Sequence, residues 1–276
     1  MTRSAAPLDV LLAEFRATYP VAELRHEGDA WRYRRGGVSA NPVLWLTGAL
    51  GVGDFAFAHA LALGTDFRII VPDYPPVRTL DRMADGLVAI LDAERIGAAH
   101  VVGGSFGGMV AQHFVRRHPE RVRSLVLSHT AAPDPSHARA ALIHILSLLL
   151  PARPYRALFS RRLRPAFVVG DPFWLRYFDA TVARLTKADL VSKAILLSEF
   201  LQCGYRPGDL ERWPGWILVL DADDDQLMPG PTRAALRTLY PRAEVHTFSG
   251  TGHSTAILHP ERYADVIRCF LRSGTA

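Results

Sequence analysis

The run Val101-Val102-Gly103-Gly104-Ser105-Phe106-Gly107-Gly108 sets a serine among small residues, with a β-branched pair before it and a helical pattern after it. Gly103 to Gly107 satisfies G-x-S-x-G. At ordinary glycine and serine frequencies that pattern arises by chance in roughly one chain in ten of this length, so its setting carries the weight. A strand turning sharply into a helix around a serine is a nucleophile elbow. The turn strains the serine backbone, and glycines on either side let strand and helix approach. The helix N-terminus then directs N–H groups toward negative charge. Other glycine-rich readings fail. A P-loop needs Gly-Lys-Ser/Thr, and no lysine is here; a dinucleotide fingerprint needs glycine where Ser105 stands. Ser105 is therefore read as a nucleophile.

Outward from the elbow, strand and helix patterns alternate. Val43 to Leu46, Phe67 to Val71, Val101-Val102 and Leu125 to Leu127 are continuous apolar runs bounded by glycine, proline or polar residues. Such runs read as buried parallel strands. Trp31 to Arg35 alternates like a strand. Helical segments fall between them at Phe55 to Leu63, Leu80 to Glu94, and Met109 to His118, the last stopped by Pro119. The expectation is an α/β sheet covered on both faces. From about Asp134 to Gly208 only helical periodicity remains, before strand patterns return at Trp216 to Leu220 and Glu244 to Phe248 and a helix closes the chain from about Pro260. The organisation expected is a core of residues 1–133 and 209–276, with a helical cap or lid at 134–208. Such a cap would sit over the carboxyl ends of the strands, where open α/β sheets place ligands.

A serine hydroxyl needs a base, and the base needs an acid to hold its tautomer. In strand–elbow–helix enzymes the chain order is Ser, Asp or Glu, then His. Of the eleven histidines, His253 lies in Ser249-Gly250-Thr251-Gly252-His253-Ser254, just after the last strand pattern and in a glycine-rich loop able to aim an imidazole. His246, inside the strand, and His259, before Pro260, read as structural. For the acid, the Trp216–Leu220 strand runs into Asp221-Ala222-Asp223-Asp224-Asp225-Gln226-Leu227-Met228-Pro229. Spacing inside this loop does not choose among the aspartates. It lacks the EF-hand spacing, so no metal site is read from it.

Composition narrows the class. Hydrophobic residues make up 49% and charged residues 21% of 276, so the chain can bury a core without disulfide or metal. Cys203 and Cys269 form no CxxC pair and read as buried, reduced thiols in helices. The net charge of +5 comes almost wholly from scattered arginines. Without a basic stripe in an aromatic or helix-turn-helix context, nucleic acid is not the expected partner. The cluster Arg153, Arg156, Arg161, Arg162 and Arg164 reads first as a solvated face. Met1 to Pro20 reads as an amphipathic helix, not a signal peptide. Ala140 to Leu150 is too short to span a bilayer. A cytoplasmic protein is expected.

After residue 30 the chain resembles the α/β-hydrolase superfamily, in its serine-nucleophile branch. The resemblance rests on the elbow, the acidic loop and Gly252-His253. It implies the α/β-hydrolase fold, a mostly parallel, eight-stranded type of sheet with a helical cap, and no cofactor. It places the nucleophile on Ser105 and the base on His253. The family's Gly-x-x-Asp-x-x-x-Pro-like loop puts the acid on Asp225, four residues before Pro229, with Ala222 where glycine is usual. Asp224 is the fallback, and Asp134, after the sixth strand, a more remote one. The resemblance also implies an oxyanion hole from the backbone N–H groups of Ala49 and Phe106. Two loops depart from the family: Thr47-Gly48 stands where many relatives read His-Gly, and Asp73-Tyr74-Pro75-Pro76-Val77 replaces an Arg-Gly-x-Gly-x-Ser-like loop. Residues 68–130 also resemble the maspardin-like subgroup, which is associated with protein binding. The implied activity is hydrolysis of an ester, thioester or related acyl bond of a largely apolar small molecule. Two alternatives stay open. One is lyase, acyl-transfer or cyclisation chemistry in the same pocket; the other is a maspardin-like binding protein with an idle triad.

Overall fold

The computed structural model describes residues 6–134 and 137–273. Met1 to Ala5 of the expected N-terminal helix, 135–136 of the expected cap and the last three residues of the expected core lie outside them. Eight strands form one sheet: β1 (Val21–His26), β2 (Asp29–Gly36), β3 (Pro42–Leu46), β4 (Arg68–Pro72), β5 (Ala99–Gly104), β6 (Val122–Ser128), β7 (Trp216–Ala222) and β8 (Glu244–Phe248). Their order is β1-β2-β4-β3-β5-β6-β7-β8. From β4 onward every pairing is parallel, and β2 alone runs against the others.

The central strands bury both faces, which is why they read as unbroken apolar runs. Successive side chains serve opposite layers. In β3, Leu44 and Leu46 pack with Leu87, Val110 and Phe114 from helices α3 (Leu80–Ala93) and α4 (Phe106–Arg117). Val43 and Trp45 pack on the other face with Phe15, Phe57 and Ile267 from α1 (Leu8–Thr18), α2 (Phe57–Leu63) and α11 (Pro260–Ser273). Local chemistry sets the helix ends. The Thr79 hydroxyl accepts from Arg82 N and starts α3. Pro119 follows α4 at once.

Between β6 and β7 run four helices, α5 (His137–Leu149), α6 (Ala152–Leu163), α7 (Pro172–Arg184) and α8 (Lys187–Leu201). A Thr186–Asp189 capping box opens α8. Leu190 of α8 joins Tyr155, Phe178 and Val182 in a separate apolar cluster that reaches down to Leu50, in the loop after β3. The core side completes the join: Ser192 Oγ donates to the Val77 carbonyl, and Glu199 accepts from Leu80 N. Short helices α9 (Gly230–Leu239) and α10 (Thr255–Leu258) complete the chain.

One strand escapes the sequence patterns, and one expectation needs correction. β1 is a strand that no apolar run announces, because an edge strand here buries one side only partly and its alternation is weak. The cysteines are not buried helical thiols: Cys203 is half-buried just after α8, and Cys269 is exposed on α11.

Candidate active site

Ser105 stands between β5 and α4 with φ 52° and ψ −118°, a backbone state costly for a residue with a Cβ. Its surroundings enforce that state. Ser105 N donates to the Ser128 carbonyl of β6 at 2.8 Å, and its own carbonyl accepts from Thr130 Oγ1 at 2.8 Å and Gly108 N at 3.0 Å. The glycines make the approach possible. A Cβ on Gly103 would come within 2.5 Å of the Gly107 carbonyl oxygen, and one on Gly108 within 2.6 Å of the Thr130 side chain. One on Gly107 would collide with the Leu46 and Thr47 carbonyls.

His253 lies in a 3-10 turn, Gly252–Ser254, directly after β8. Its Nε2 is 3.1 Å from Ser105 Oγ, and its Nδ1 is 2.8 Å from Asp225 Oδ2. The structure therefore brings together Ser105, His253 and Asp225, which are separated by long stretches of chain. Asp225 is buried, and its other oxygen accepts from the Leu227 and Met228 amides at 2.9 and 3.0 Å. Burial pushes this carboxyl up, but the bonds from His253 and Met228 outweigh it and hold the group below the usual aspartate value. A carboxylate held ionised there can fix the proton of His253 on Nδ1 and leave Nε2 free to take one from a serine hydroxyl.

The other aspartates of the loop do different work. Asp224 Oδ1 accepts from Thr251 N and Gly252 N, at 3.1 and 2.9 Å, so it shapes the turn that carries His253 and does not touch the ring. Asp223 accepts from Gly250 N, and Asp221 pairs with Arg237. Gly250 and Gly252 adopt positive φ, which the loop requires. Asp134 is exposed beyond β6, on the wall of a neighbouring cavity.

Phe106 opens α4, so its amide has no acceptor inside the helix. Ala49 follows Gly48, whose Cα faces Ser105 closely enough that an added Cβ would stand 3.7 Å from Ser105 Cβ. The two departures from the family pattern meet at this point. Tyr74 donates its hydroxyl to the Thr47 carbonyl at 2.8 Å and its amide to the Gly51 carbonyl, while Asp73 accepts from Gly53 N at 2.6 Å. The Asp73-Tyr74 pair thus braces the loop after β3 from below.

Two cavities meet at Ser105. One, about 170 Å³, runs between core and helical excursion past Trp45, Phe55, Phe167, Trp174 and Tyr263. The other, about 540 Å³, runs past Met109, Leu197, Leu201 and Met228. Arg161 and Arg162 flank a depression that reaches His253, whereas Arg156 and Arg164 are engaged with the Leu185 carbonyl and Asp179. The expected solvated cluster is therefore split between two tasks.

Sequence reasoning missed His129, which follows β6 with φ 46°. It is buried, with Nδ1 at 2.9 Å from Ser128 Oγ and Nε2 at 2.8 Å from Thr255 Oγ1. Burial and the adjacent His253 ring lower its pKa to about 4. Its place at the carboxyl end of a central strand was the available signal. Among the described residues no cluster of His, Cys, Asp and Glu suits a metal ion, and no helix is long and apolar enough to cross a membrane.

Comparison with known proteins agrees with this architecture. Residues 8–266 match the family described as "Alpha/beta hydrolase family". The chain is 30% identical over 237 residues to a 2-hydroxymuconate semialdehyde hydrolase of Pseudomonas sp. (strain CF600), covering 76% of this chain and 78% of the relative. It is 27% identical over 238 residues to maspardin of Mus musculus, covering 83% and 76% of the two chains. A crystal structure of a hydrolase from Pseudomonas aeruginosa PA01 superposes with a TM-score of 0.78 at 22% identity, over 91% of this chain and 98% of the other. An eight-stranded, mostly parallel sheet and a family match across almost its whole length make this chain a member of the alpha/beta hydrolase family.

Proposed function

We propose that this protein is a serine hydrolase that cleaves an ester, thioester or related acyl bond of a largely apolar small molecule. The observation that carries the reading is the hydrogen-bonded line from Ser105 Oγ through His253 to Asp225. Ser105 Oγ attacks the carbonyl carbon as His253 Nε2 takes its proton. Asp225 stabilises the imidazolium that forms. The carbonyl oxygen, now an anion, is held by the amides of Ala49 and Phe106; such donors contribute about 3 kcal/mol each in comparable sites. The tetrahedral intermediate collapses, and His253 returns the proton to the leaving group. Water, deprotonated by the same ring, then releases the acyl group and restores Ser105. The 134–208 excursion serves as a cap: its Phe167 and Trp174 wall the narrower cavity and its Leu197 and Leu201 the wider one. These linings favour an apolar substrate. The cytoplasm is the proposed location.

The test is intact-mass spectrometry after treatment with a fluorophosphonate at neutral pH. A single adduct on Ser105, absent from Ser105→Ala, is expected. Folded protein that stays unmodified would overturn the hydrolase reading in favour of an idle triad.

A further inference from the structure

In the helical excursion between β6 and β7, residues 135–170 hold six arginines and no aspartate or glutamate. Arg139, Arg153, Arg156, Arg161, Arg162 and Arg164 account for more than the whole net charge of +5. The same stretch turns apolar side chains outward. Leu142, Ile145, Leu148 and Leu149 of α5 are exposed, from 49% at Leu148 to 76% at Leu149. At about 100° per residue they fall, with exposed Ala141, inside an arc of about 120°. The opposite side of α5 is the one that packs. There the Ala140 carbonyl accepts from Ser198 Oγ of α8, Ile143 joins the apolar cluster around Leu190, and Ser147 is buried. The exposed arc is thus a second apolar face, which an amphipathic surface helix would make polar. Single exposed leucines need no explanation, but a contiguous apolar face marks a contact surface.

Helix α6 carries the charge. Arg153, Ala157 and Arg161 recur every four residues on its exposed side, with Leu158 and Arg162 beside them. Arg156 and Arg164 are engaged with the Leu185 carbonyl and Asp179, but Arg153, Arg161 and Arg162 pair with no carboxylate among the described residues. Only Leu150 and Pro151 separate α5 from α6, and both helices pack on α8, which is itself bonded to the core. Their exposed sides are therefore adjoining parts of the excursion's outer surface. Leu158, Arg161 and Arg162 also line a depression of about 660 Å³ that reaches His253, so this surface continues to the candidate active site. A second copy of the chain suits it poorly, because a two-fold contact sets the same arginines against one another. An anionic bilayer satisfies both features at once: apolar side chains enter the acyl boundary, and arginines meet the phosphate headgroups. We infer that the outer surface of α5 and α6 docks this protein on an anionic membrane. The docking holds whatever chemistry Ser105 performs.

Flotation of the full chain with lipid vesicles tests it. Phosphatidylcholine vesicles containing about one third phosphatidylglycerol should bind the protein at low ionic strength at least about tenfold more strongly than pure phosphatidylcholine, and about 0.5 M NaCl should release most of it. Ile145→Gln with Leu149→Gln removes two apolar side chains, and Arg153→Gln with Arg161→Gln removes two charges. Each pair should weaken partition about tenfold. All four positions are exposed and glutamine is a good helix former, so the fold should survive. Arg95→Gln with Arg212→Gln makes an equal charge loss at exposed sites near the amino ends of β5 and β7, and should leave partition within about twofold. Absence of binding to the anionic vesicles, or equal binding to the neutral ones, overturns the inference. So does an α5 pair that leaves partition unchanged, or an Arg95 and Arg212 pair that weakens it as much as the α6 pair. A dimer in solution that the α5 pair dissociates, with no vesicle binding, gives the surface to a second copy instead. The lipid and salt comparisons use the unaltered protein, so they decide even where a variant unfolds. Partition is read without turnover, so the fluorophosphonate result on Ser105 stands apart from it.

Discussion

The imidazole of His129 stands perpendicular to that of His253, with ring centroids 5.7 Å apart. His129 is tied on both nitrogens, and its neighbour Thr255 Oγ1 lies 2.6 Å from Thr251 Oγ1, in the turn before His253. A rigid, neutral ring therefore backs the imidazole that faces Ser105. We expect His129→Asn to fold, since asparagine tolerates the positive φ at this position. Removing the ring should lower kcat about tenfold with little change in KM, because His253 loses its support while the cavities remain. Steady-state kinetics across pH check this: a shifted acidic limb of kcat against pH marks a change at His253 that simple destabilisation would not produce.

Asp225 and Asp224 are adjacent in sequence and separable by mutation. Asp225→Asn should lower kcat by about 10⁴, because the amide can turn its N–H toward the ring and impose the wrong tautomer. Asp224→Asn keeps an oxygen for Thr251 N and Gly252 N and should cost less than about tenfold. Matched kinetics of the two variants decide the assignment. Equal losses would reject it.

The elbow glycines should differ sharply in tolerance. A methyl group on Gly107 meets the Leu46 and Thr47 carbonyls, which belong to the backbone and cannot swing away. Gly107→Ala should destabilise by more than about 3 kcal/mol or prevent folding. Gly104 has no neighbour within 4 Å of an added Cβ, so Gly104→Ala should stay within about 1 kcal/mol of the parent. Chemical denaturation measures both.

Acid should weaken the fold through its buried histidines. Burial lowers His59, His100 and His129 to about 4 each, against about 6.5 for an unfolded histidine. Above that upper value both states are neutral and stability is full. Between 6.5 and 4 the unfolded chain binds protons that the folded protein refuses, so stability falls as pH falls. Each group can withdraw on the order of 3 kcal/mol by the lower end. Melting temperature followed from neutral pH down to 4 should drop across this window. His59→Phe should make the drop shallower by about a third.

Much of this protein is legible along the chain. The strands β3 to β7 are legible as apolar runs, because a doubly covered strand must be apolar on both faces, while their order in the sheet came from the fold. Ser105 is legible because an elbow needs glycines at fixed offsets, and His253 because it follows the last strand. What the chain alone left open was settled by distance. Four aspartates share one loop, and only folding shows that Asp225 meets the ring while Asp224 binds backbone amides. The altered loop at Asp73-Tyr74 reads as a loss until the fold sets Tyr74 against the Thr47 carbonyl. His59 and His129 carry no motif at all. Their character comes from burial, from rings stacked on rings and from partners far away in sequence, and local periodicity encodes none of these.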